Sequence, residues 1–546
     1  MLVTARALAD SQNFTTITRT DVTKLDILMA LILAALALAM RYAMAPQLDG
    51  LDDAGYLEAA QRVAQGRGLE NMFPLFRTRV GMAYPLGWLL KFGVIAPAQF
   101  WLLTTLADGV TLGALFAGAW WLTGTTRAGL LTVLLYAVYP FAVQQSAMFY
   151  PSAFQTMFIA IALALIIGAE RGVIQARTIA ALAAGAALGF AYLVKEDAAL
   201  LVPAIVVASI LTGFPRRSVA VWVSVGAASV FFTESAVYLM TTGKATFRLT
   251  ATSALEGGST VSSQLQISDI FKWDAYLRSL YLVPDEVGIV WWLLIPALVS
   301  AVLRGNAAVR FIATLFVIVA AYLQFGSASF SNYAPLPKTP RYTVIVTPLV
   351  MMVIGAWIAG LYARRKALAI TVLFVMAAAA VPCIVYLNIT SSERSRNSFT
   401  VAETLHGLPP APLYTDFYSA RGLRVLAPDL PLKVWYHADF QSNQIVLQSD
   451  PDLDKGAYVL LDRQSAKIYT SSYQMKLPET IAGAHPNWVM VWQGRAYESS
   501  SFGRRVLEAG RAAVTRLLPD TTFSRRVERS VADIIEGDDV TLFRVE

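Results

Sequence analysis

Apolar runs long enough to cross a bilayer recur along this chain, and no other feature constrains its fold as tightly. A hydrocarbon core of about 30 Å needs roughly 20 apolar residues per helix, and in lipid only a helix or a closed barrel satisfies the backbone's own polar groups. On that ruler, spans are predicted near residues 26–44, 97–121, 128–147, 152–169, 178–194, 197–213, 218–240, 286–303, 309–328, 342–362 and 367–388. Eleven spans put the two chain ends on opposite sides. Hydrophobic residues make up 56% and charged residues 15% of the 546, too little solvated surface for a soluble protein of this length. The lone cysteine, Cys383, lies in an apolar run and excludes a disulfide framework. The net charge of +7 would suggest nucleic acid in a soluble chain; here membrane topology accounts for it, and no nucleic-acid partner is expected. The first 25 residues are polar and the first apolar run is long enough to span, so no cleaved signal is expected.

Charge orients the spans. Short connections carrying Arg127, Arg171, Arg177, Arg216, Arg217, Arg304, Arg310, Arg364, Arg365 and Lys366 alternate with connections poor in Lys and Arg. The positive-inside rule makes the first set cytoplasmic, together with the 1–25 tail. Residues 45–96, the turns near 150 and 195, the loops 241–285 and 329–341 and the tail from 389 are then exoplasmic. Chemistry belongs on that face, because cytoplasmic loops of a few residues cannot build a pocket. The predicted organisation is a cytoplasmic tail (1–25), an all-α polytopic membrane domain (26–388) and a soluble α/β domain (389–546). Strand-like runs at 457–461 and 488–492 and helical stretches near 501–518 and 524–536 support the last of these. Basic, Ala-rich composition points to a bacterial inner membrane with the C-terminal domain periplasmic.

The first outer loop opens with Asp49, Asp52 and Asp53 ahead of Tyr56, Leu57, Ala60, Val63 and Ala64 at helical spacing, which predicts an amphipathic helix on the membrane. Acids just before a helix serve as caps and dipole partners. A carboxylate at the bilayer surface can also take a proton from an acceptor hydroxyl or amine, or hold a divalent cation against a phosphate. Arg77, Arg79 and Gly81-Met-Ala-Tyr-Pro85 precede a second amphipathic segment, 86–92. A departing phosphate needs fixed cations, and Lys195, Lys338 and Arg341 fall at outer span ends; snorkelling accounts for such residues equally well. Glu196 and Asp197 are expected to neutralise Lys195. Asp108 and Glu234, within spans, suit either a proton relay or structural hydrogen bonding, the latter being commoner for isolated acids. Asp416, Asp439 and Asp462 read as turn residues. All three histidines, His406, His437 and His485, lie in the tail, which removes the base from intramembrane zinc or serine proteolysis.

These motifs resemble the polyprenyl-phosphate-sugar-dependent glycosyltransferases of the GT-C fold, the group containing protein O-mannosyltransferases and lipid A aminoarabinose transferases. Asp52-Asp53-Ala-Gly-Tyr56 is similar to their acidic pair with tyrosine, Arg79–Pro85 to their basic-to-Tyr-Pro stretch, and Lys338-Thr-Pro-Arg-Tyr342 with Pro348 to their Arg-Tyr motif. Lys195 falls where relatives often carry Lys or Arg. Tyr150-Pro151 also matches, but Ser152 stands where many relatives have an acid. The resemblance implies a membrane glycosyltransferase with a polyprenyl-phosphate sugar donor and a lipid, glycan or protein acceptor. Asp52, with Asp53, would be catalytic, Lys195, Lys338, Arg341 and Arg79 would bind the donor phosphate, and Tyr56 and Tyr342 would support them. A divalent metal, if one is used, would sit on Asp52. The rival reading is a transporter or flippase of lipid-linked sugars, disfavoured by the absence of repeat halves.

Overall fold

The computed structural model describes residues 23–43, 52–69, 72, 74–248, 250–251, 276, 280–281, 287–327, 336, 340–434, 436–439, 444–447, 453–462, 487–494, 502–535 and 540–546. Helices dominate. They are α1 (Lys24–Ala43), α2 (Asp52–Ala64), α3 (Pro74–Thr78), α4 (Val80–Lys91), α5 (Trp101–Thr123), α6 (Thr126–Ala137), α7 (Pro140–Ala147), α8 (Pro151–Glu170) and α9 (Arg177–Val194). Then come α10 (Leu201–Thr212), α11 (Arg217–Thr242), α12 (Val290–Arg304), α13 (Ala307–Phe325), α14 (Thr347–Arg364) and α15 (Lys366–His406). Among the described residues, six helices are long and apolar enough to cross a membrane alone. They do not establish the eleven spans predicted.

Two departures have local causes. The predicted single span 128–147 is a bent pair, α6 and α7, at 68°. Pro140 opens α7, and a residue preceding proline is driven out of the helical region, which ends α6. The predicted 342–362 span begins as a 3₁₀ segment, Pro340–Val346, and becomes α-helical only at Thr347, with Pro348 in the first turn where a missing N–H costs nothing. Helices α9 and α11 pack closest where small residues face each other. A Cβ on Gly185 would strike the Val223 carbonyl, and one on Gly226 the Leu182 carbonyl, so the two backbones approach as small-residue interfaces allow.

The intramembrane acids are satisfied locally. Asp108 on α5 pairs with Arg41 on α1 and accepts from the Tyr136 hydroxyl at 2.7 Å. Arg41 also donates to the Ala137 and Tyr136 carbonyls, at the C-terminal end of α6. Glu234 on α11 accepts from Arg248 Nε at 2.8 Å, and Arg248 further donates to the Tyr192 and Leu193 carbonyls at the end of α9. Both acids are therefore structural cross-links, and the relay reading is not carried further.

Helix α15 runs unbroken past residue 389, the expected boundary, to His406. Its last turns place Val401, Ala402 and Leu405 in the core of a mixed sheet. The strands are β1 (Leu413–Thr415), β2 (Leu432–Val434), β3 (Tyr436–Asp439), β4 (Gln444–Leu447), β5 (Tyr458–Asp462), β6 (Trp488–Gly494) and β7 (Val540–Val545). The main sheet has the order β2-β1-β5-β7-β6, with β1 parallel to β2 and β5, and β7 antiparallel to β5 and β6. Between β1 and β2 lies α16 (Phe417–Leu426), capped by Asp416, whose carboxylate accepts from the Ser419 N–H and hydroxyl. Two further helices, α17 (Phe502–Leu517) and α18 (Thr522–Ile535), precede β7.

Candidate active site

The segment between α1 and α5 folds into a platform. Helices α2 and α4 pack through a core containing Tyr56, Leu57, Ala60, Met82 and Leu86, closed by Phe76 of α3. Helix α4 starts at Val80, six residues before the predicted amphipathic segment, and exposes Tyr84, Trp88 and Phe92 along one stripe. Aromatic side chains so arranged suit the membrane interface. The sheet domain docks on this platform through α16: Val425 joins its core, and the Arg421 guanidinium lies 5.0 Å from the centre of the Phe76 ring.

Five segments converge at one end of the bundle: the start of α2, the start of α4, the start of α8, the end of α9 with the 3₁₀ turn Glu196–Leu200, and the 3₁₀ segment before α14. Asp52 and Asp53 both occupy the first turn of α2, and the helix separates them. Asp53 is fully buried with its carboxylate accepting from the Ala54 N–H. The Asp52 side chain is 37% exposed and lies 3.9 Å from Arg341, itself 61% exposed. Arg341 stacks over Tyr342, whose ring also carries the Lys195 ammonium 4.6 Å from its centre. Lys195 pairs with Asp197 at 2.9 Å, and Asp197 accepts in turn from Gln155 of α8. Lys338 lies outside the described residues.

Glu196 does not neutralise Lys195 as expected. It forms a two-point pair with Arg79, leaving Asp197 alone to balance the lysine. The turn explains the division: in the 3₁₀ segment Glu196–Leu200 successive side chains are about 120° apart, so Glu196 meets Arg79 and Asp197 meets Gln155. Burial works to raise the Glu196 carboxyl, but the Arg79 and Arg248 charges outweigh it and hold the group below the usual carboxylate range. Burial pushes the Tyr56 phenol far up, opposed by Arg79 and reinforced by Asp52, so Tyr56 stays protonated and can act only as a donor or neutral acceptor.

The structure thus brings together Asp52, Tyr56, Arg79, Lys195, Arg341 and Tyr342. Gln155 and the Arg79 partnership of Glu196 escaped sequence reasoning. Gln155 had a signal: it is a polar residue in the apolar α8 run, one turn after Pro151 and three residues after Ser152. Among the described residues, no three His, Cys, Asp or Glu side chains converge to hold a metal, and the nearest charged neighbour of Asp52 is a cation.

A family model described as dolichyl-phosphate-mannose-protein mannosyltransferase matches residues 90–239. That stretch contains Lys195, Glu196 and Gln155 but not the first-loop acids. No curated protein matches the chain by sequence. Among solved structures, ArnT from Cupriavidus metallidurans bound to undecaprenyl phosphate is similar over 82% of this chain and 94% of its own, at 17% identity and a TM-score of 0.52. The oligosaccharyltransferase AglB from Archaeoglobus fulgidus, in complex with an inhibitory peptide and a dolichol-phosphate, is similar over 74% of this chain and 64% of its own, at 10% identity and a TM-score of 0.48. With its platform of interfacial helices, its helical bundle and its appended sheet domain, the chain is an integral membrane protein of the GT-C fold.

Proposed function

We propose that this protein is a membrane glycosyltransferase that moves a sugar from a polyprenyl-phosphate donor to a lipid, glycan or protein acceptor on the exoplasmic face. The observation that carries the reading is the solvent-open Asp52 carboxylate beside the open Arg341 guanidinium, at a mouth that also holds Lys195. An acceptor oxygen or nitrogen attacks the anomeric carbon, and its proton passes to Asp52. The bond from that carbon to the phosphate oxygen breaks, and the electron pair leaves with the polyprenyl phosphate. Arg341 and Lys195, with Lys338 from the preceding loop, stabilise that charge. In one such displacement the configuration at the anomeric carbon inverts. Arg79, already held by Glu196, steadies Tyr56 under the site, and Asp53 caps α2. The sheet domain, seated through Arg421 and Val425, is positioned to present the acceptor.

The experiment is transfer of label from a short-chain polyprenyl-phosphate sugar by purified protein, with membrane lipids and glycans as acceptors. Asp52→Asn is expected to lower turnover by about 10²–10⁴-fold, the usual contribution of a general base, with donor binding intact. Wild-type turnover in that variant would remove Asp52 from the mechanism. Arg341→Gln should chiefly weaken donor binding, and EDTA should leave turnover unchanged. A flippase would move the donor without making a glycosidic bond; Asp108 and Glu234, the acids within the spans, are committed to ion pairs.

A further inference from the structure

The opposite end of the bundle carries a second site. A cavity of about 480 Å³ opens between the C-terminal ends of α12 and α14 and the N-terminal end of α13, ringed by Arg304, Arg364 and Arg365 together with Asn306, Trp357 and Gly360. Helix α14 is 18 residues long, so at 1.5 Å per residue the cavity lies about 27 Å from the mouth holding Arg341. The positive-inside rule assigns this face to the cytoplasm.

Arg304, Arg364 and Arg365 are exposed around the cavity. Among the described residues, the acids on this face are Asp26, which bonds Thr23, and Glu170, which pairs with Arg216 at 3.2 Å. Neither reaches the cavity. The rim is polar in a fixed arrangement: Asn306 caps α13 by accepting from the Val309 N–H at 2.9 Å and donates to the Leu122 carbonyl at 3.2 Å, which Arg171 also holds. The carbonyl end of α5 is thereby covered, and the carbonyl ends of α12 and α14 carry Arg304, Arg364 and Arg365, whose positive charge offsets them. Guanidiniums match phosphate oxygens two at a time, and three of them exceed the charge of a single phosphodiester. On α12, Ile295, Val299, Val302 and Leu303 are exposed along the face beside the cavity-lining residues, so a ligand with its polar end in the cavity has an apolar track leading from it.

We infer that this cavity binds the phosphate-bearing headgroup of an anionic phospholipid, with the acyl chains lying along α12. Basic pockets between helices on the cytoplasmic side are suited to such headgroups. The test is native mass spectrometry of the purified full chain in neutral detergent with a two-phosphate lipid of the cardiolipin type, phosphatidylcholine, or inorganic pyrophosphate. Wild type is expected to retain one two-phosphate lipid. The triple variant Arg304→Gln, Arg364→Gln, Arg365→Gln should lose affinity by tenfold or more, a change of at least about 1.4 kcal/mol. Gly360→Phe keeps all three charges but fills the cavity, since a Cβ at Gly360 meets nothing within 4 Å, and it should lose the lipid likewise. Arg217→Gln, on the same face outside the cavity, should retain it. Equal retention by wild type and both cavity variants would overturn the site, as would equally tight phosphatidylcholine. Pyrophosphate binding without lipid binding would overturn the lipid as its source.

Discussion

The pair Arg79–Glu196 links the interfacial platform to the bundle, and its removal should have a measurable and non-additive cost. The two side chains are 5% and 20% exposed, so each is largely withdrawn from water. Removing one partner of such a pair costs about 3–5 kcal/mol, chiefly because the other charge is left buried and uncompensated. The lower end applies here, as Glu196 keeps some contact with solvent. Arg79→Met and Glu196→Leu are each expected to lose about 3 kcal/mol, whereas the double variant, which leaves no orphaned charge, should lose at most about 3 rather than about 6. The coupling is then at least about 3 kcal/mol, the upper range for directly interacting residues. Unfolding of purified protein by increasing SDS in mixed micelles, followed by tryptophan fluorescence, measures all four corners. Additive losses would refute the argument, since they would mean that neither charge depends on the other.

Three further outcomes follow from the same contacts. Because the Glu196 carboxyl is held below its ordinary value in the folded protein, its contribution is full above the ordinary carboxylate range near pH 4.3 and is lost as pH falls through the folded value; Glu196→Gln should flatten the acid limb of a stability-against-pH curve, and an unchanged limb would count against the pair. Asp108→Asn leaves the Arg41 guanidinium without its carboxylate and should cost about 3 kcal/mol while transfer per folded molecule stays at wild type; loss of transfer at full stability would revive a relay. Arg421→Ala removes the guanidinium from Phe76 and from the space beside Gly55, and limited proteolysis should then cleave near the α15–β1 junction several-fold faster, with identical digestion patterns as the refuting result.

The sequence made the bundle legible because lipid forces helices and their length; strands β5 and β6 and helices α17 and α18 of the sheet domain were legible as continuous apolar strand-like runs and as helical stretches. Where backbone chemistry intervened, the apolar runs alone misled. Pro140 broke one run into two helices, and α15 continued beyond its apolar residues into Ser-, Thr- and Asn-containing sequence of lower helix propensity, whose last turns pack into the sheet core. Sequence order placed Arg79, Lys195, Glu196 and Arg341 on one face but not their pairing. Glu196 adjoins Lys195 in the chain and yet meets Arg79, 117 residues away, because direction out of a turn, rather than proximity in sequence, decides which charge a side chain reaches. Arg248 shows the same limit: nothing in its surrounding residues announced that it would clasp Glu234 and the end of α9.

Those pairings sort the basic residues by the work left to them. Arg41, Arg79 and Arg248 are buried against acids and backbone carbonyls, and a phosphate could recruit them only by displacing a carboxylate already desolvated with them. Lys195 is balanced by Asp197 but still lies on the Tyr342 ring at the mouth. Arg341 approaches Asp52 at 3.9 Å, stacks on Tyr342 and is largely open. An arriving phosphate would draw Arg341 away from Asp52 at small cost, since exposed pairs contribute about 0–1 kcal/mol, and would leave that carboxylate unneutralised beside the acceptor. Donor binding would thereby free the Asp52 carboxylate for the acceptor, coupling the two substrates through one weak ion pair. Replacing Arg341 by Gln should accordingly remove the dependence of acceptor KM on donor concentration as well as donor affinity, and a dependence unaffected by that substitution would separate the two roles.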